Sequence, residues 1–206
     1  MAHESMPHVR EITDGDHGLY VPGPLANRHP AAVLGIVVAA DHRVALSTVM
    51  VSVRRATSAD VDSVRRVGFA TWPATYGPLL GDEYVQRGLA TWWSADRVLR
   101  GITDNTTYIA QVGDDVVGTA VVGVLDETPM LWKLYVLPDD QKTGAGRALL
   151  DAVIAGLDVR ADRLWLDHAE GNDNAHGFYE RHGFRELFRH QDEHGHREVR
   201  MERQLR

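Results

Sequence analysis

The chain has 206 residues, a formal net charge of −7 and an apolar fraction of 44%, enough for one globular domain with a sizeable core and an appendage. The acidic balance argues against a bulk nucleic-acid surface, and the absence of cysteine excludes disulfides, thiolate metal sites and cysteine nucleophiles. The most apolar run, "AAVLGIVVAA" from Ala31 to Ala40, falls short of the roughly 20 residues of a membrane span and lacks the basic start of a secretory signal, so no membrane partner and a cytoplasmic location are expected.

Residues 1–50 are rich in turn formers, prolines and histidines and carry little periodicity, which predicts a loose N-terminal extension. Ala31 to Val53 is compatible with one helix or with a pair of strands. Met50 stands just before the first regular strand and is a candidate internal start. Residues 51–206 read as the folded domain. "VSVRRA" alternates as a strand, and "SADVDSVRRVGFAT" follows as a helix capped by Ser58 or Asp60. A loop or helix pair with Trp72, Tyr76, Tyr84, Trp92 and Trp93 comes next. "TTYIAQV" and "DVVGTAVVGVLD" are consecutive strands turned by "VGDD", and "PMLWKLYVL" is a third. A helix runs from Gly144 to about Leu157. "DRLWLDHA" is a strand, "NDNAHGFYERH" a short helix stopped by Gly183, and "FRELFRH" and "HREVRMERQL" a closing hairpin. Helical passages inside a mainly hairpin-connected sheet define a mixed α/β domain.

The stretch "LYVLPDDQKTGAGRALL" joins a strand to a helix through Gly144 and Gly146. Such a turn can aim the backbone N–H groups of Gln141 to Arg147 at one anion, and the helix N-terminus adds favourable electrostatics. The same spacing also suits a plain glycine-capped connection. The stretch lacks the Gly-Lys-Ser/Thr ending of a P-loop, which disfavours ATP hydrolysis.

Three ordered motifs give the chain its resemblance to the GNAT superfamily of acetyl-CoA-dependent N-acetyltransferases, over roughly Val53 to Leu205. The first is Gln141, Gly144 and Gly146 after a long strand. The second is "NDNAHGFYERHGF", with Asn172, Ala175, Phe178, Tyr179, Gly183 and Phe184 at the family's spacing. The third is "VRRATSADVDSVRRV", similar to the family's opening strand and helix. The resemblance implies a central, mostly antiparallel, splayed sheet flanked by helices. It implies acetyl-CoA as acyl donor, with its pyrophosphate on Gln141, Lys142, Thr143, Gly144, Ala145, Gly146 and Arg147. Backbone groups of Leu134 and Val136 would hold the pantetheine arm, with Asn172, Ala175 and Tyr179 close to the coenzyme. The implied reaction is direct attack on the thioester by a primary amine of a small molecule or a protein, with Tyr179 protonating the departing thiolate. A non-catalytic acyl-CoA sensor on the same fold is the alternative, and a homodimer is compatible with either.

The general base is less legible. Glu127 and His168 are the candidates, at the ends of two strands, while Asp167 and His168 must face opposite sides of their strand. Trp72 and Tyr76, four apart, share a helical face and serve either as an aromatic acceptor wall or as core. His190, His194 and His196 beside Asp192, Glu193 and Glu198 fit no specific zinc spacing; they read as solvated turn residues, and no metal is expected.

Overall fold

The computed structural model describes residues 31–38, 44–192 and 194–206, with side chains from Met50 onward. The loose extension expected over the first thirty residues lies outside them. Of the two readings of Ala31 to Val53, the strand pair is the one formed: β1 (Ala31–Val38) lies antiparallel to the first part of β2 (Val44–Arg55). Arg54 at the end of β2 grips Asp60 through two 2.8 Å hydrogen bonds, and the Thr57 N–H donates to the same carboxylate at 2.7 Å. The guanidinium bonds hold the Asp60 carboxyl well below the usual carboxylate range, and together these contacts fix the entry into the first helix.

That helix, α1 (Val61–Trp92), turns sharply at Gly81, whose φ of 82° and ψ of 168° are open only to glycine. The aromatic segment is therefore a helix pair. A further helix follows, α2 (Ala95–Thr103), which the sequence reading did not separate; Ser94 caps it by accepting from the Arg97 N–H at 3.3 Å. Three antiparallel strands come next: β3 (Thr106–Val112), β4 (Asp115–Leu125) and β5 (Thr128–Val136). They are followed by α3 (Ala145–Ala155), β6 (Arg163–Ala169), α4 (Asp173–Arg181), β7 (Arg185–Gln191) and β8 (Arg197–Gln204).

The strands form one sheet in the order β1-β2-β3-β4-β5-β6-β8-β7, antiparallel throughout except for β5 and β6. Each face is covered by helices. Leu149, Leu150 and Val153 of α3 and Tyr179 of α4 pack on Leu131, Leu164, Leu166, Val199 and Met201. On the opposite face, Val64, Val67, Trp72 and Tyr84 of α1 meet Ile109, Val116 and Tyr135. The predicted mixed fold with a mostly antiparallel sheet is the observed one. Among the described residues no helix is long and apolar enough to cross a membrane.

Candidate active site

The sheet opens where β5 leaves β6. Their parallel pairing spans only Met130↔Trp165 and Leu131↔Leu166, yet β5 continues to Val136 and β6 to Ala169. A bulge assists the divergence: Leu131 pairs with Val122 and Lys133 with Val121, so Trp132 is an extra residue that bends β5. Beyond the bulge, the Leu137 N–H donates to the Val117 carbonyl at 2.8 Å. Antiparallel alternation then turns the N–H and C=O groups of Leu134 and Val136 away from β4 and into the opening.

Past β5 the chain makes a single turn at Pro138–Asp140 and reaches α3 through two left-handed residues, Lys142 (φ 67°) and Gly144 (φ 92°). Thr143 is tied back, its Oγ1 donating to the Asp140 carbonyl at 2.6 Å. Gln141 and Lys142 are exposed, and Gln141 Nε2 stands 3.5 Å from the Val136 carbonyl. The Ala148 N–H closes on the Gly144 carbonyl at 2.9 Å, and no side chain caps the helix. The N–H groups of Ala145, Gly146 and Arg147 thus have no intrahelical acceptor, and the positive end of the helix dipole lies with them. This is an anion cradle at the mouth of the opening. Arg147 lies exposed on α3, 3.5 Å from Asp151.

α4 borders the cradle. A Cβ on Gly146 would stand 3.4 Å from the Phe178 ring, so α3 and α4 lie in ordinary van der Waals reach of each other here. Asn172 caps α4 by accepting from the Ala175 N–H at 3.1 Å, and Ala175 packs on the core beneath. The Phe184 and Gly183 N–H groups close the other end on the Tyr179 and Glu180 carbonyls, with Gly183 at φ 84°. Tyr179 lies buried between Phe178 and Phe184. Burial pushes its phenol up, and the Tyr76 phenol adds to the effect. Burial likewise raises Tyr135, with Tyr76 and Tyr179 contributing. Tyr76 and Tyr135 share a 3.0 Å hydrogen bond. The Tyr179 phenol on α4 is thus within electrostatic reach of the hydrogen-bonded Tyr76–Tyr135 pair on the α1 side.

The α1 side of the opening carries charge. Strand alternation sends Val199 and Met201 of β8 into the α3 core and Glu198, Arg200 and Glu202 to the other face. Arg200 holds both oxygens of Asp167 at 2.5 and 2.8 Å. His190 Nε2 lies 3.3 Å from Asp167 and 3.9 Å from Glu198. Burial, then the negative charge of Asp167, pushes the Glu198 carboxyl up to about 7. Tyr84 of α1 meets the His196 ring edge-on at 4.7 Å, which brings the closing hairpin under the kinked helix.

The predicted site residues divide accordingly. Leu134 and Val136 face the gap between β5 and β6, residues 141–147 form the turn into α3, Asn172, Ala175 and Tyr179 belong to α4 and its cap, and Tyr76 reaches β5 through Tyr135. Trp72 is a core anchor: it is 4% exposed, ringed by Tyr76, Tyr84, Trp92 and Trp93, and a Cβ on Gly88 would stand 2.0 Å from it. His168 faces α4, its ring nitrogens 2.9 Å from the Ala169 carbonyl and 3.1 Å from His176, and burial lowers its pKa. Glu127 is exposed in the β4–β5 turn, at the far end of β5 from Leu134. Among the described contacts none joins either candidate base to these phenols, whereas Tyr135 bonds to Tyr76 and the Glu198 charge acts on Tyr76 and Tyr84; Tyr135 and Glu198 escaped the sequence reading as site residues. The alternation of "REVRME" does mark Glu198, Arg200 and Glu202 as one face, but nothing in it says that Tyr76 and Tyr84 of α1 come within electrostatic reach of Glu198. Of the histidine-rich turn, Asp192 accepts from the His196 ring at 3.1 Å and from the backbone of His194 and His196, while Glu193 lies outside the described residues.

A family model described as an acetyltransferase (GNAT) domain matches residues 103–186. Uncharacterised N-acetyltransferases of Mycobacterium bovis and Mycobacterium tuberculosis are 32% identical over 124 residues, covering 58% of this chain and 80% of theirs. Among solved structures, the PaiA N-acetyltransferase of Thermoplasma acidophilum in complex with coenzyme A superposes with a TM-score of 0.65 at 19% identity, over 75% of this chain and 98% of that one. A putative GNAT-family acetyltransferase of Desulfovibrio desulfuricans gives 0.59 at 25% identity, over 76% and 99%.

Proposed function

The chain belongs to the GNAT acetyltransferase family, and from that premise we propose that it transfers an acetyl group from acetyl-CoA to a primary amine of a small molecule or a protein. The observation that carries the proposal is the divergence of β5 from β6, with two main-chain residues facing the opening and an anion cradle at its mouth. In this reading Ala145, Gly146 and Arg147 donate their N–H groups to the pyrophosphate, with Gln141, Lys142 and Thr143 forming the loop around it. Leu134 and Val136 pair with the amides of the pantetheine arm as a strand would, which lays the thioester through the opening. Asn172 and Ala175 shape α4 where it lies along the coenzyme. The solved relative from Thermoplasma, bound to coenzyme A, supports this placement by its fold.

The chemistry then falls to the side chains at the centre. An amine nitrogen approaching from the α1 side attacks the thioester carbonyl, and the sulfur leaves as a thiolate that needs a proton. Tyr179 is the donor in this reading: burial keeps its phenol protonated, the same dry surroundings raise the basicity of the departing sulfur, and the N–H proton shed as the amide forms returns to the phenolate. Tyr76 and Tyr135 border the acceptor's approach.

The test joins binding and turnover. Gly144→Glu places a side chain and a negative charge in the cradle and forces a strained φ. Acetyl-CoA affinity measured by calorimetry should fall more than tenfold, about 1.4 kcal/mol, with cooperative melting retained. The wild-type protein is then offered a panel of amines and peptides, with free CoA thiol read and products identified by mass. Tyr179→Phe should lower kcat at unchanged acetyl-CoA affinity. Unaltered affinity in Gly144→Glu overturns the coenzyme placement. Binding without thiol release for any amine favours an acyl-CoA sensor.

A further inference from the structure

We infer that Glu198 is the acceptor site's ammonium receptor and base: the amine arrives protonated, docks on this carboxylate and gives it one proton before attack. The inference rests on the acetyl-transfer reading above and assigns it a residue that none of the three sequence motifs contains.

Position comes first. Glu198 stands opposite Ala169, the last residue of β6, and opposite His190 on β7. It is therefore at the end of β6 that has parted from β5, on the face that α1 covers. Its charge acts on the Tyr76 and Tyr84 phenols in the same direction as their burial, while the Tyr135 hydrogen bond opposes the shift of Tyr76. Tyr76 in turn bonds to Tyr135, which lies within electrostatic reach of Tyr179.

Charge comes second. Each other acid nearby is already answered. Asp167 is held by Arg200 through both oxygens, and Asp192 by the His196 ring and two backbone N–H groups. Glu198 has, among the described residues, only the His190 ring, 3.9 Å away, as an ion-pair partner. Arg200 acts on it at longer range, and Asp167 and Asp192 oppose its ionisation. A half-buried carboxylate without a close cation, within electrostatic reach of the Tyr76 and Tyr84 phenols, is complementary to an ammonium group. A bare metal ion suits the place less. Asp167, His190 and Glu198 offer ligand atoms within 4.8 Å of one another, but the Arg200 guanidinium occupies the Asp167 oxygens and repels a cation there.

Proton balance comes third. The ammonium N–H bond breaks, the proton forms an O–H bond on the carboxylate, and the nitrogen keeps its electron pair for the thioester carbonyl. Cation and anion become two neutral groups, which a dry site favours. A carboxyl poised at about 7 is partly ionised at neutral pH and still basic enough to take the proton.

The experiment compares two acceptors of similar shape near neutral pH: phenethylamine, which arrives as an ammonium ion, and O-benzylhydroxylamine, which arrives neutral. Glu198→Gln should lower kcat/KM for phenethylamine by roughly 100-fold or more and for O-benzylhydroxylamine by less than about threefold. Glu198→Asp, which keeps a carboxylate but shortens its reach, should recover part of the loss. Acetyl-CoA affinity by calorimetry should stay unchanged in both variants; if Glu198→Gln fails to bind, Glu198→Asp carries the comparison. Equal losses on the two acceptors, or no loss on either, overturn the assignment. A wild-type protein that binds acetyl-CoA and turns over neither acceptor overturns the ammonium site while leaving the coenzyme reading intact. One that does not bind acetyl-CoA at all overturns the function on which the assignment rests.

Discussion

At the scale of the residue, Glu198 makes a thermodynamic prediction independent of catalysis. Its carboxyl is raised from the ordinary 4.5 to about 7 in the folded chain. Between those values the folded state binds more protons than the unfolded one, so this group's contribution to stability falls as pH rises, and the loss is complete above about 7. Discounted for the side chain's 26% exposure, the cost at alkaline pH is roughly 1–3 kcal/mol. Glu198→Gln should therefore melt higher than wild type near pH 8 and show no such advantage near pH 4. A melting difference that does not change with pH contradicts the burial argument. Tyr179 and Glu198 also show what a sequence can and cannot say about a site. Tyr179 is legible because a run of local spacings surrounds it, from Asn172 to Phe184. Glu198 is not, because its significance depends on Asp167 and Arg200 cancelling each other and on α1 folding over the sheet, and both are long-range facts.

At the scale of the element, α1 assigns two roles to residues four apart. Trp72 fills the space that Gly88 leaves across the kink, while Tyr76 reaches the Tyr135 phenol. Trp72→Ala should cost roughly 3–5 kcal/mol of stability, with coenzyme binding and amine use declining together. Tyr76→Phe keeps the ring and should leave melting and acetyl-CoA affinity nearly intact while raising the amine KM. Chemical denaturation of both variants beside steady-state kinetics separates the roles; a large stability loss in Tyr76→Phe would make that phenol structural too. The shared helical face was readable from the spacing, but which residue meets the core and which meets the opening was not. The Gly81 turn decides it, by returning Tyr84 and Gly88 onto Trp72. α2 was missed although Ser94, Val98 and Ile102 carry a cap and a four-residue apolar spacing. The preceding run of aromatics gave no sign of where one helix stopped.

At the scale of the whole molecule, the order β6-β8-β7 was the least legible feature, because a hairpin read from sequence does not reveal which of its strands docks. The sheet's other end bears on where the domain begins. Residues Val44–Met50 of β2 pair only with β1, whereas Val51–Arg55 pair with β3. Only Ala31↔Val51 joins the two ladders at a shared residue. The β1–β2 ribbon is thus an outrigger on the edge of the sheet, and the core residue Val51 belongs to the part beyond it. A chain starting at Met50 keeps every β2–β3 pair, the Arg54–Asp60 clasp and both sets of helices. It frees Val51 alone of the residues that pair with β3, and the short β2 edge that remains carries Arg54 and Arg55, charges that discourage pairing with other chains. We therefore expect residues 50–206 to melt in one cooperative transition, to stay soluble and to bind acetyl-CoA within about threefold of the full chain's affinity, less than about 0.7 kcal/mol. The comparison is calorimetry of both chains at matched concentration, with light scattering to follow association. Loss of cooperative melting would make the ribbon part of the folding unit. Intact folding with coenzyme binding weakened more than tenfold would instead place residues 1–49 over the cleft.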